Sequence, residues 1–105
     1  MKQIILLEKT DIRFDNNVIK LVQYPTFFLI ENGCGVLGSE KDKNKAYKIY
    51  QNKVKAFKAQ RTKAYNHDVD FVKENIDSVS KHCVIDSFQK RYHMTEAETR
   101  KLFGF

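Results

Sequence analysis

Tryptophan is missing from this chain, proline occurs once, and glycine four times in 105 residues. So few backbone breakers exclude a collagen-like or Gly/Pro-rich disordered polypeptide. Two cysteines, 49 positions apart, do not make a disulfide framework. No apolar run approaches the roughly 20 residues of a membrane span. The opening Met1-Lys2-Gln3 followed by Ile4 to Leu7 is too short an apolar stretch for a signal peptide, and no small-residue cleavage site follows it. The expectation is a soluble cytoplasmic protein, in the host cytoplasm if phage-encoded, with no membrane partner. The length excludes a kinase, a TIM barrel and a two-lobed dinucleotide enzyme; it suits one domain, since single cores commonly hold about 100–150 residues. Eight Phe and five Tyr supply the material for a core.

Acidic residues are scarce where they matter most. The net charge is +6, and it is not spread evenly. Residues 1–38 carry four basic and four acidic side chains, and residues 67–105 carry six basic against seven acidic. Residues 39–66 carry nine basic side chains against Glu40 and Asp42, so this one segment holds the whole excess. Local patches of this kind create the fields that steer polyanions. Lysine outnumbers arginine 15 to 4 beside many Ile, Asn, Phe and Tyr, a bias that fits an AT-rich coding sequence of the bacterial or phage kind.

The pattern predicts an α+β fold of one domain, residues 1–105, with a sheet over 1–38, a basic helix over 39–66 and a helical cap over 67–105. The first part reads as an antiparallel meander of three to five strands. Ile4 to Leu7 is a short apolar run, Ile12 and Phe14 alternate with Arg13, and Asn16-Asn17 offers the positive φ angles of a tight turn. Asp11–Asp15 is therefore expected to pair with Val18–Tyr24. After Pro25 come Thr26 to Glu31, a reversal at Asn32-Gly33 and a short strand from Gly35 to Leu37. Phe27 and Leu29 point one way, Phe28 and Ile30 the other, so both faces of the sheet are apolar and both need cover. Helices on both sides, or a second copy of the chain in a homodimer, would supply it.

Ser39 is read as the N-cap of a long helix over about 41–65, with Asp42 as its capping-box partner. Ala46, Tyr50, Val54, Phe57 and Ala64 share one side of that helix. Lys41, Lys45, Lys48, Lys55 and Lys63 share the opposite side, with Lys58 and Arg61 at the edges. Two or three shorter helices follow. Asn66-His67-Asp68 separates off a helix with Val69, Val72, Ile76, Val79 and Cys83 on its apolar stripe. Asp86 opens another, and Thr95-Glu96-Ala97-Glu98 caps a last one that ends at Gly104, with Phe105 placed for an apolar closing contact.

Few chemical motifs stand out. Gly33 to Gly38 spells G-x-G-x-x-G, but its Val36-Leu37 reads as strand and no acidic residue occurs between Lys53 and Lys63, so a dinucleotide site is not expected. His67, His82, His93, Cys34 and Cys83 do not fall at metal-ligand spacing, and Cys83 is expected in the core. Asp68/Asp70 and Glu96/Glu98 lie in first turns of expected helices, where the dipole favours them without catalysis. Residues 86–103 have the length of a helix-turn-helix, yet Glu96 and Glu98 stand at the end that would approach phosphate. No catalytic, metal or cofactor residue is assigned.

The lysine stripe remains. Surface helices ordinarily interleave Glu with Lys at four-residue spacing, and this one does not. The first expectation is a non-enzymatic nucleic-acid-binding accessory protein whose Lys41, Lys45, Lys48, Lys55, Lys58, Arg61 and Lys63 contact phosphates. Lysine in place of arginine favours backbone contact over base reading. The alternative is a regulator or inhibitor, of the phage anti-host or anti-defence type such as an anti-CRISPR, that offers the same face to an acidic protein.

Overall fold

Four antiparallel strands in simple order open the fold. They are β1 (Ile5–Asp11), β2 (Val18–Gln23), β3 (Phe28–Asn32) and β4 (Gly35–Glu40), hydrogen-bonded β1-β2-β3-β4. Three helices follow, α1 (Lys43–Glu74), α2 (Lys81–Tyr92) and α3 (Glu96–Phe103), so the architecture is α+β. The computed structural model describes residues 3–15, 17–33 and 35–105. Asn16 of the expected turn and Cys34 of the glycine motif lie outside the described residues. The chain packs as two compact units, one built from 3–12 and 17–59, the other from 13–15 and 60–105.

The hairpin differs from the expected one. β2 pairs with Ile5–Asp11, with Asp11 opposite Val18, and not with Asp11–Asp15. Beyond Asp11 the backbone leaves extended geometry: Arg13 and Asp15 take φ of 54° and 49°, which a strand cannot contain. The alternation of Ile12 and Phe14 does mark burial, since both are buried, but inside a loop.

Both edge strands carry a bulge. Register shifts between Leu6 and Glu8 opposite β2, and between Val36 and Gly38 opposite β3, leaving Leu7 and Leu37 as the extra residues. Each bulge turns the side chains beyond it to the other face. Glu8, Leu21, Ile30 and Gly38 therefore form one cross-strand row, and Leu6, Val22, Leu29 and Ser39 another on the opposite face. Bulged edges also resist pairing with a further strand.

The first face is covered by the N-terminal part of α1. Ile19, Leu21 and Ile30 are fully buried there with Ala46 and Tyr50 of the helix. α1 packs close over Gly38, where a Cβ would lie 3.4 Å from Ile49 Cγ2, at van der Waals contact. With β4 extending through Glu40, the glycine motif is strand and turn, and no helix N-terminus meets it.

The helix boundaries differ from the expected ones. Ser39 belongs to β4, and the α1 cap is Asp42, whose Oδ2 accepts the Lys45 amide at 2.9 Å. Asn66-His67-Asp68 does not break the helix, because Asp68 accepts from Arg91 and Tyr92 side chains instead of capping, while Val69 and Val72 continue the buried stripe. The break comes at Asn75, whose amide and side chain both bond back to Phe71 O. Asp86 opens no helix; it sits inside α2, which starts from the Ser80 cap. Cys83, in the first turn of α2, is exposed and not in the core.

In the second unit an aromatic cluster organises α2 and α3. Tyr92, 1 % exposed, stacks on Phe14 at 5.9 Å and meets Tyr65 and Phe88 at 5.2 and 5.4 Å, and Phe103 stands edge-on to Phe88. The expected capping box is formed: Thr95 Oγ1 accepts the Glu98 amide while Glu98 accepts the Thr95 amide. The Thr95 amide first, and then the Thr95 hydroxyl, donate to Glu98 Oε1 and hold this carboxyl below its ordinary pKa. Gly104 closes α3 at φ 71°, and Phe105 folds back against Phe103 at 5.7 Å. Thr95→Ala should cost about 1 kcal/mol in a urea titration, because it removes the cap and half of the box.

The Tyr92 hydroxyl donates to Asp68 Oδ2 at 2.5 Å, and Arg91 Nη1 reaches the same oxygen at 2.9 Å. Burial, and then the adjacent Asp68 carboxylate, push the phenol pKa well above its ordinary value of 10.0. The folded state therefore keeps this proton where the unfolded chain would lose it. Stability from Tyr92 is complete below about pH 10 and declines as pH rises further. Tyr92→Phe should lose about 1 kcal/mol at neutral pH and abolish that alkaline decline, as read by denaturation midpoints between pH 8 and about 11.

Candidate functional site

The first unit sets its lysines by elimination. Ala46 and Tyr50 face the sheet, so residues on the far side of the helix cannot be buried there. Lys45, Lys48 and Lys55 fall within about a quarter turn of one another on that far side, and all three are exposed, as is Lys41 just ahead of the helix. Among the described residues the side chains of Lys41, Lys45, Lys48 and Lys55 enter no ion pair. The two carboxylates of the segment are engaged otherwise. Asp42 caps α1, and Glu40 Oε1 accepts the Lys41 amide at 3.0 Å. Both carboxylates sit at backbone amides at the start of α1, and among the described residues neither forms an ion pair with these four lysines.

Lys58 flanks the stripe and lines an open groove of about 530 Å³ between the edge strand β1 and one side of α1. Glu8 and Thr10 form the strand wall; Tyr47, Tyr50, Gln51, Val54 and Lys55 form the helix wall. Tyr50 is fixed by a hydrogen bond between its hydroxyl and Thr10 Oγ1. Tyr47 is half-buried. The groove joins aromatic surface to two ammonium groups, with the Glu8 carboxylate opposite.

In the second unit Lys63 is exposed and, among the described residues, unpaired. Arg61 is placed differently. Its Nε donates to Arg13 O at 3.1 Å, and its guanidinium lies 5.4 Å from the Tyr65 ring centroid and 5.6 Å from that of Tyr92. That arginine braces the aromatic cluster.

The groove walls are not legible in the sequence as a site. Tyr47, Gln51, Val54 and Lys58 do stand at helical i, i+4, i+7 and i+11 positions, which is a usable signal for the helix wall. Glu8 and Thr10 join them only because of the β1 bulge, which no local pattern announces.

Other chemistry is thinly supplied. Among the described residues no three His, Cys, Asp or Glu side chains gather as a metal set, and no helix is long and apolar enough to cross a membrane. His67 is exposed within α1, His82 and Cys83 open α2, and His93 closes it in the left-handed region at φ 55°. α2 and α3 are joined by three residues, as a helix-turn-helix requires. Glu96 and Glu98 occupy the α3 N-terminus, which presents negative charge there. No protein-family model matches the chain, and no curated protein or solved structure matches it.

Proposed function

We propose that this protein is a non-enzymatic, intracellular nucleic-acid-binding accessory protein that docks on phosphates through the exposed lysine face of α1. The observation that carries the reading is the unneutralised row of Lys41, Lys45, Lys48 and Lys55, whose nearest acids in sequence are bonded to backbone. Each lysine that meets a phosphate releases condensed counterion, and that release drives association without reading sequence. Ammonium groups act as point charges on a flexible stem, which fits backbone contact more than bidentate base recognition. The adjoining groove supports the reading, because Lys55 belongs to both the row and the groove and brings a phosphate contact beside Tyr47.

The test is direct binding of the purified protein to labelled duplex and single-stranded DNA and RNA of about 20 residues, at about 50 mM salt. Binding to at least one of them, with little preference among sequences, is expected. Failure on all four rejects the reading and leaves the same lysines for an acidic protein surface, to be sought by co-purification.

A further inference from the structure

We propose that a second copy of this chain covers the sheet face that α1 leaves open, in an isologous dimer with the two sheets stacked face to face. Two cross-strand rows define that face. One runs Leu6, Val22, Leu29, Ser39 across β1 to β4, and the other runs Lys9, Lys20, Glu31, Val36 in the same strand order. Leu6 on β1 and Val36 on β4 are 53 % and 63 % exposed at the two edges of this face, while Leu29 is half-buried and Val22 is buried at its centre.

The central charges of this face, Lys20 and Glu31, complement their own image, while Lys9 falls at the edge over the partner's Val36. A two-fold axis parallel to the strands, midway between two stacked sheets, lays β1 of one copy over β4 of the other and β2 over β3. Each row then lies on its own reversed copy. Lys20 of one protomer comes over Glu31 of its partner, and Glu31 over Lys20, so two equivalent ion pairs form about the axis. Both residues belong to the central strands, where the roughly −30° rotation between packed sheets displaces them least. Within one chain they are direct cross-strand partners, yet they form no ion pair with each other.

The shape is complementary too. Leu29, Val36 and Ser39, with Phe27, line a shallow depression of about 760 Å³ on the β3–β4 side. The same axis brings Leu6 of the partner over it, and does so twice by symmetry. Four strands at about 4.8 Å and six residues at about 3.3 Å make a face roughly 20 Å square. Two such faces bury roughly 800 Å² in total, below the roughly 1,200 Å² at which standard specific interfaces begin, so the dimer is expected to be weak, with a dissociation constant on the order of tens of micromolar. Lys41 also lines this depression and comes under the partner, while Lys45, Lys48 and Lys55 of α1 stay outward on both copies, so polyanion binding through those three is separable from self-association.

Sedimentation velocity on the full chain, from about 1 to 300 μM, reads the dimer. Wild type is expected to pass from monomer to dimer across that range. Lys20→Glu and Glu31→Lys alone should each raise the dissociation constant at least tenfold, about 1.4 kcal/mol. An equimolar mixture of these two variants should recover the dimer, because each charge then meets its opposite across the interface, and the double variant K20E/E31K should recover it alone. Circular dichroism checks that each variant folds. A wild type monomeric throughout overturns the proposal. So does a dimer that persists in both single variants, or two monomeric variants that stay monomeric when mixed.

Discussion

Reversing Lys48 and Lys55 to glutamate should weaken nucleic-acid binding about a hundredfold or more, taking each reversal as at least 1.4 kcal/mol. Both side chains are exposed on α1 and unpaired among the described residues, so the substitution leaves the core and the helix cap in place. It replaces two attractions toward phosphate with two repulsions. The dependence of affinity on salt should flatten as well, by about one unit of logarithmic slope for each phosphate that is no longer neutralised. Lys81→Glu/Lys101→Glu, made in α2 and α3, is the matched control: the same change in net charge, placed in the second unit, should have a much smaller effect. Equal weakening by both pairs would mean that total charge, and not the α1 face, governs binding.

The second large effect is on stability. Tyr92→Ala should cost about 3–5 kcal/mol, the range for deleting a buried aromatic ring. The ring meets Phe14, Tyr65 and Phe88, and its hydroxyl is a partner of Asp68. Against a total stability of about 5–15 kcal/mol, that loss threatens the second unit as a folded body. Urea denaturation followed by near-ultraviolet circular dichroism measures it. A loss below about 1 kcal/mol would show that the cluster closes over the gap without strain.

Periodicity reveals the large parts of this fold, and tertiary packing sets the details it misses. The apolar positions Ala46, Tyr50 and Phe57 are enough to orient α1 and so to place Lys45, Lys48 and Lys55 on the opposite side. The Thr95 capping box and the Gly104 stop are also legible, because their chemistry is local. Asp68 misleads, since a short acidic side chain after Asn66-His67 looks like a new cap. Its real partners, Arg91 and Tyr92, lie more than 20 positions away. Ile12 and Phe14 mislead in the same way: strand-like alternation and loop burial give one pattern, and only the positive φ at Arg13 and Asp15 separates them. The bulges at Leu7 and Leu37 decide which side chains share a face, and each is a leucine after another aliphatic residue, which carries no local sign of a bulge. Arg61 reads as one more cation along the helix, whereas its guanidinium lies over two tyrosine rings.

The most direct test of the lysine face is an affinity titration of wild-type protein on a duplex of about 20 base pairs, repeated from about 50 to 200 mM salt. Three to five phosphate contacts predict a logarithmic slope between about −2.7 and −4.5. A slope near zero, or no measurable binding at the lowest salt, would contradict it.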